Sequence, residues 1–403
     1  MSDKKPYVKQ MEELFNRYRH TRTKERKGII DYLLTQPAPT EKTILLNHND
    51  YLGLACHPKV IEAQINSLSK EKNKIMMSGV FLSAGSYQFD MEQKLANYLG
   101  KEKGCIFQSG LCANISVTEA ITDANIPVYI DQRAHASLWF GLRFTRAKII
   151  PFRHNDVDDL ENKIFKYGAG PIFIDSVYSA QGTMAPLVQI VQIKKAHHCF
   201  LVVDESHSLG LFGNKGSGLV AQLNLTSEVD CITASLSKSF CTRAGLVCGS
   251  DDFILFMKEK STSMIFSSAV PNYDIARMEA MLHILTAEEG DALRARLYLL
   301  SAKLRQCLIE EKYRLYTEDN RSPIVSIFCG EEKDCRCLRL AFDSKNIYLS
   351  PFFQPATPPK ETLLRMTVNS GISTMQLEYI AETVRHIKKI FLLQKMAHPA
   401  FEF

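Results

Sequence analysis

Four short stretches of this 403-residue chain carry residue types that could do chemistry. Ser235-Leu236-Ser237-Lys238-Ser239-Phe240 sets a lysine among small hydroxylated residues, directly after an apolar run. An amine in that setting can have a depressed pKa and act as a nucleophile. Composition alone favours the plainer alternative, an exposed surface lysine. Asp204-Glu205-Ser206-His207 follows the apolar run Cys199–Val203. A carboxylate at the carboxyl end of a buried parallel strand stands where open α/β sheets bind ligands. A charge there must also be paired. An aspartate that merely caps the next helix is an equally good reading. Ser109-Gly110-Leu111-Cys112-Ala113-Asn114 is a small-residue turn that opens a helical pattern, and a helix N-terminus suits a phosphate. Many strand–helix turns look the same. His135, in Arg133-Ala134-His135-Ala136-Ser137-Leu138, could stack on a flat ring, though lone histidines are more often structural.

Each stretch is ambiguous, but the combination is not. An amine for a Schiff base, a carboxylate to keep a pyridine nitrogen protonated, a stacking ring and donors for a phosphate are what pyridoxal phosphate requires. No P-loop is present. Gly213-x-x-Gly216-x-Gly218 lacks the dinucleotide spacing and reads as a surface turn.

These side chains need a scaffold, and the chain supplies one. Strand candidates are Cys105–Gln108, Pro127–Ile130, Ala147–Ile150, Ile172–Asp175, Cys199–Val203, Cys231–Ala234 and Gly245–Cys248. Most are continuous apolar runs, as a sheet covered on both faces needs. Several are separated by enough chain for a crossover helix. The expectation is an α/β fold with a mostly parallel sheet. After about residue 275 the pattern changes. Leu293, Leu297, Leu300, Leu304 and Leu308 line one helix face. Short strands are expected near Ile324–Phe328, Ile347–Leu349 and Leu363–Val368, and Pro351–Lys360 reads as an extended connection. A closing helix starts at the capping box Ser373-x-x-Gln376 and carries a stripe of Met375, Tyr379, Ile380, Val384, Ile387 and Phe391. The expected organisation is an N-terminal helical arm (1–45), a large domain (46–280), a small C-terminal α+β domain (281–394) and a loose tail (395–403).

Composition sets the outer limits. With 45% hydrophobic and 23% charged residues, a sizeable core is possible. A net charge of +5 is too small over this length to imply nucleic-acid binding. The 11 cysteines include no CxxC pair, and Cys335-x-Cys337 is a weak metal candidate with no histidine close by. No metal site is expected. Unpaired cysteines suggest a reducing, cytoplasmic setting. Residues 1–27 hold nine Lys/Arg and four Asp/Glu without an apolar core, so no secretory leader is expected, and no run of about 18 apolar residues occurs, so no membrane insertion is expected.

The chain resembles the α-oxoamine synthases, dimeric pyridoxal-phosphate enzymes of the aspartate-aminotransferase-like fold. Ordered matches are Asn49-Asp-Tyr-Leu-Gly-Leu54, Phe107–Asn114, His135–Leu138, Asp175-Ser-Val-Tyr-Ser179, Ala185-Pro-Leu187, Asp204–His207, Ser235–Phe240, Phe266-Ser-Ser268 and Leu364-Arg-Met-Thr367. Within that family it looks most like the quorum-sensing synthases of α-hydroxyketone autoinducers, through Ala136–Trp139, Asp204–Gly210, Thr233–Lys238 and Arg243-Ala-Gly245.

The resemblance implies a fold-type-I architecture with a seven-stranded sheet in the large domain. It implies roles residue by residue. Lys238 would carry the Schiff base, Asp204 would pair with the pyridine nitrogen, His207 would bond the ring hydroxyl and His135 would stack on the ring. Gly110 and Leu111 would offer N–H groups to the phosphate, Ser235 a hydroxyl, and Ser268 would reach it from the other subunit of a homodimer. Ser179 would lie near the ring hydroxyl, and Asn49 and Arg365 would hold the substrate carboxylate. The implied reaction condenses a medium- or long-chain acyl-CoA with a small amino acid, 2-aminobutyrate or S-adenosylmethionine, and loses CO₂ to give an α-aminoketone. Synthases serving biotin, haem, threonine or sphingoid metabolism are alternatives. A catalytically silent partner subunit is another, and a nicotinamide oxidoreductase a remote third. One stretch departs from the family pattern: Ser78–Glu92 lacks the arginine and histidine of many relatives. Val80, Phe81 and Leu82 there suit an apolar acyl chain.

Overall fold

The computed structural model describes residues 6–24, 36–70, 77–317, 321–354 and 356–397. All seven expected strands of the large sheet are present. They are β2 (Lys103–Phe107), β3 (Pro127–Asp131), β4 (Lys148–Phe152), β5 (Pro171–Asp175), β6 (Phe200–Asp204), β7 (Cys231–Ser235) and β8 (Gly245–Gly249). Their spatial order is β2-β8-β7-β6-β5-β3-β4. Neighbours from β4 through β7 pair in parallel, whereas β8 is antiparallel to both β7 and β2.

The connections explain that pattern. The helices Ala136–Phe144, Val157–Tyr167 and Leu187–Ala196 fill three successive crossovers between parallel strands. Only residues 236–244 separate β7 from β8. That is too short for a crossover, so the strand must turn back. Lys238 sits on this turn.

Alternate strand residues enter two cores. Phe173 and Val202 pack under Ala113, Val117, Leu138 and Leu142 of the helices Gly110–Ile121 and Ala136–Phe144. Ile172, Ile174, Leu201 and Val203 join the larger core on the opposite face. A strand buried on both sides has to be apolar at every position, which is why the runs in the sequence were continuous.

A smaller antiparallel sheet follows, in the order β11 (Ser350–Phe352), β12 (Thr362–Thr367), β9 (Ile324–Gly330). The leucine stripe lies on the helix Glu288–Glu310, with Leu297, Leu300, Leu304 and Leu308 buried. Ser373 and Gln376 form the expected reciprocal cap: the Gln376 N–H donates to Ser373 Oγ at 3.1 Å, and the Ser373 N–H to Gln376 Oε1 at 2.9 Å.

Two sequence expectations need correction. The connection Pro351–Lys360 begins inside β11, where Pro351 is tolerated because the strand is an edge. On the closing helix Thr374–Ala397, Met375 and Tyr379 are exposed, while Leu377, Ile380, Val384 and Ile387 face the core. Met375 is five residues from Ile380, about 140° around the helix, so it cannot share that face. Phe391 and the expected tail (395–403) lie outside the described side chains.

A two-stranded parallel pair, β1 (Ile44–Leu45) with β10 (Ile347–Tyr348), ties the N-terminal segment to the C-terminal part. The Thr367 N–H donates to Leu46 O at 2.7 Å and extends that tie. The chain next passes Asn49 and Tyr51. No helix among the described residues is long and apolar enough to cross a membrane.

Candidate active site

Strands β2, β3, β5, β6 and β7 point their carboxyl ends to one edge of the sheet. The segments that follow them bring Gly110, His135, Asp175, Asp204 and Lys238 together there. Three neighbouring strands, β3, β5 and β6, each end in a buried aspartate: Asp131, Asp175 and Asp204. Sequence reading singled out only the third as a site residue.

The three carboxylates are used differently. Asp131 takes the N–H groups of Arg133 and Asn155 and the His154 ring, so it ties down the loop that leads to His135. Asp175 takes the His135 N–H at 3.1 Å. Burial first, then the nearby Asp204, pushes the Asp175 pKa well above the carboxylate range. Asp204 takes the Ser206 N–H at 2.8 Å and the Asn114 amide at 2.8 Å. The Asn114 carbonyl oxygen is buried without a partner. An orphaned acceptor costs about 1–3 kcal/mol, but the flipped amide would press that oxygen against the carboxylate.

Every residue of Asp204–His207 has a task. Glu205 is fully buried. Its Oε1 takes the Leu219 and Val220 N–H groups and the Ser208 hydroxyl, while Oε2 has no partner. A Cβ at Gly218 would stand 1.8 Å from Oε2, so the glycine-rich stretch wraps closely over this carboxyl instead of forming a plain surface turn. The Ser206 hydroxyl takes the Ser235 N–H at 2.7 Å and so fixes the start of the Lys238 turn. His207 Nδ1 meets the Tyr51 hydroxyl at 2.5 Å. Burial, then Lys238 and Arg365, holds His207 well below its ordinary pKa.

Glu205 supports a pH prediction. Burial raises its pKa from 4.5 to about 7. The folded state therefore holds more protons than the unfolded chain between these values, and stability falls as pH rises through that window. Above pH 7 the full cost is about 3 kcal/mol. Glu205→Gln keeps one acceptor oxygen and removes the charge. Its melting temperature should exceed the parent's at pH 8 and match it near pH 4.5. An unchanged or lower value at pH 8 would exclude this account.

The small-residue turn opens a helix, Gly110–Ile121, as expected. Ser109 takes the Cys112 N–H with its hydroxyl and the Ala113 N–H with its carbonyl. The N–H groups of Gly110 and Leu111 fall in the first turn, where a helix has no internal partner for them. A Cβ on Gly110 would come within 2.6 Å of Ser235 Cβ, so only glycine lets this helix end abut the Lys238 turn. Ser235 Oγ lies 2.7 Å from Ser237 Oγ.

On the other side, Arg365 of β12 donates to Ser179 O at 2.7 Å and lies over the Phe352 ring. It is buried, its Nε has no partner, and desolvation lowers its pKa. Asn49 Oδ1 is likewise buried and unpaired. The free Nε–H of the Arg365 guanidinium fits a planar anion such as a carboxylate, whereas the unpaired Asn49 atom is an acceptor and calls for a donor. A clamp missed in the sequence holds this segment. Asp50 takes the Leu54 and Ala55 N–H groups and the Cys241 thiol, and Arg277 bridges Cys241 O and Ala55 O. Nothing in the spacing of 50, 241 and 277 signals that clamp.

Lys238 is largely buried, and desolvation lowers its pKa against the opposing pull of Asp204. His135 keeps an exposed face, and desolvation lowers its pKa, with Asp204 opposing. Ser268 is exposed, and its carbonyl accepts the Gln108 amide, which sets it beside the strand end that leads into the phosphate turn.

Residues 41–384 match the family model for class I and II aminotransferases. The chain belongs to that family. Over 372 residues it is 33% identical to the CAI-1 autoinducer synthase of Vibrio campbellii, covering 92% of this chain and 91% of that one. It is 30% identical to a putative 8-amino-7-oxononanoate synthase of Acetivibrio thermocellus, covering 87% and 90%. Among solved structures, a serine palmitoyltransferase from S. paucimobilis with a bound PLP–myriocin aldimine superposes with a TM-score of 0.83, at 26% identity over 87% and 88% of the two chains. The chain is thus an α-oxoamine synthase, a pyridoxal-phosphate-dependent acyltransferase of fold type I. Its residues fit the cofactor: helix-end donors, a buried carboxylate and a desolvated amine stand at one edge of the sheet, and Arg365 Nε is buried without a partner.

Proposed function

We propose that this enzyme joins a medium- or long-chain fatty acyl-CoA to a small amino acid, with loss of CO₂, to give the α-aminoketone precursor of an α-hydroxyketone signal. The observation that carries this reading is the similarity to the CAI-1 autoinducer synthase over nine-tenths of both chains. Serine palmitoyltransferases and 8-amino-7-oxononanoate synthases are similar at 28–30% identity, so a sphingoid- or biotin-type substrate pair is the competing reading.

When bound, pyridoxal phosphate supplies an electron sink for negative charge at the amino acid's α-carbon. The chain's residues supply the rest. Gly110, Leu111 and Ser235 would hold the phosphate, His135 would cover the ring and Asp204 would keep the proton on the pyridine nitrogen. His207, neutral and bonded to Tyr51, would offer an N–H to the ring hydroxyl, with Ser179 alongside. Arg365 and Asn49 would grip the substrate carboxylate. Lys238, with its lowered pKa, would remove the α-proton as general base.

The second subunit enters through an apolar surface. Phe81 (74% exposed) and Phe266 (83%) lie on segments joined by the Ser78–Ser268 bridge. Burying two such rings against another copy, with Ser268 reaching its phosphate, supports a homodimer with shared sites.

Purified enzyme with pyridoxal phosphate, small amino acids and acyl-CoAs of graded length tests the proposal. Release of free CoA and an aminoketone of fatty chain length is expected. Release only with short or dicarboxylic acyl groups would move the enzyme to the competing reading. Arg365→Ala should raise the KM for the amino acid about 10–100-fold and leave the KM for acyl-CoA unchanged. Equal rises in both would remove Arg365 from the carboxylate.

A further inference from the structure

A chain of hydrogen bonds runs from Asp204 to His135 through two residues that the proposed chemistry does not use. The Asn114 amide nitrogen lies 2.8 Å from Asp204 Oδ2 and 2.7 Å from Ser137 Oγ. Ser137 Oγ lies 2.7 Å from His135 Nδ1, and the Ser137 N–H points to the same nitrogen at 3.3 Å. Asn114 and Ser137 are both buried.

The direction of every proton follows. The carboxylate accepts only, so it fixes which end of the Asn114 amide faces it. That nitrogen's second hydrogen then occupies a lone pair of Ser137 Oγ. Among the described residues, the serine proton has one acceptor left, His135 Nδ1. Nδ1 therefore accepts, and the neutral ring carries its proton on Nε2. Among the described residues, no protein group engages Nε2.

We propose that Asn114 and Ser137 are positioning residues that transmit the orientation of the Asp204 carboxylate to His135 and hold it as the neutral Nε2–H tautomer. His135 then presents a hydrogen-bond donor to the cleft and cannot serve there as a general base. The same carboxylate that would hold the proton on the cofactor's pyridine nitrogen thus orients the ring covering its face. The cofactor part rests on the proposed roles of Asp204 and His135; the relay itself does not. The ionisable groups facing His135 are Asp204 on β6, Asp175 on β5, Lys238 after β7, and His207. A proton added at Nδ1 would be drawn toward the two aspartates but would meet two donors from Ser137. The relay removes the only acceptor role that proton could displace.

Histidine-selective ¹⁵N labelling of the cofactor-free protein tests this, with His135→Gln assigning the signal. The parent should show His135 as Nε2–H, protonating only below the ordinary histidine range. Ser137→Ala should produce a mixture of tautomers. Ser137→Thr, which keeps the hydroxyl, should restore the parent spectrum. Asn114→Ala, which frees Ser137 Oγ to accept, should also mix the tautomers. An unchanged Nε2–H signal in Ser137→Ala would overturn the proposal, as would an Nδ1–H signal in the parent. Circular dichroism melting of each variant separates loss of fold from loss of the relay. Pyridoxal phosphate binding by the same variants, followed by absorbance, addresses the other layer. If the tautomer shifts but His135→Gln binds cofactor unchanged, the relay stands and the stacking role falls.

Discussion

Lys238→Ala is expected to abolish condensation, with turnover down by at least about 10⁴-fold. The lysine sits on the short turn between β7 and β8, and Ser206 pins the last residue of β7, Ser235. Its amine is desolvated, and Arg365 nearby disfavours its charge further, although Asp204 and Asp175 oppose both effects. A neutral amine is what both proposed tasks need: covalent capture of an aldehyde and removal of a proton. The variant should still bind pyridoxal phosphate through the helix-end donors and Asp204. It should no longer retain the cofactor covalently after borohydride reduction. Covalent retention in Lys238→Ala would assign the Schiff base to another lysine, and retained turnover would remove the general-base role as well.

Asp204→Asn is the second large effect, with kcat falling on the order of 10³-fold. An amide of the same shape preserves packing but has one acceptor oxygen, so it keeps either the Ser206 N–H or the Asn114 amide, which reach different oxygens of the carboxylate. It cannot hold a proton on a pyridine nitrogen by charge. The loss should therefore appear in kcat, with cofactor affinity little changed. A kcat within tenfold of the parent would show that ring protonation does not depend on this carboxylate. The variant also probes the Asn114–Ser137 relay, because a neutral group at 204 no longer dictates the orientation of the Asn114 amide.

The large sheet was legible because burial on both faces leaves a plain mark, a run without polar breaks. Ser373–Gln376 was legible because a reciprocal cap is local in sequence. The closing helix was misread at Met375 and Tyr379, where apolar residues lie off the buried face. The repeated aspartate at the ends of β3, β5 and β6 was a visible signal that went unused. Each apolar run ends in the same residue, and parallel strands carry their last residues to one edge. Glu205 and Ser206 could also have been suspected, since they flank Asp204 in a segment that has to be buried.

By itself the sequence determined the type of fold and the chemical identity of the site: apolar runs specify a doubly covered sheet, and a lysine, an aspartate, a histidine and a small-residue turn specify what can bind at its edge. The tertiary structure alone decided the pairings across long separations. Tyr51 meets His207, Asp50 meets Cys241, Arg365 meets Ser179, and Asn114 stands between Asp204 and Ser137. The reason is physical. Burial and backbone propensity act through each residue and its near neighbours, so periodicity records them. A hydrogen bond between side chains 90 or 190 positions apart leaves no periodicity. It exists only once the strand order has placed those two positions at one edge.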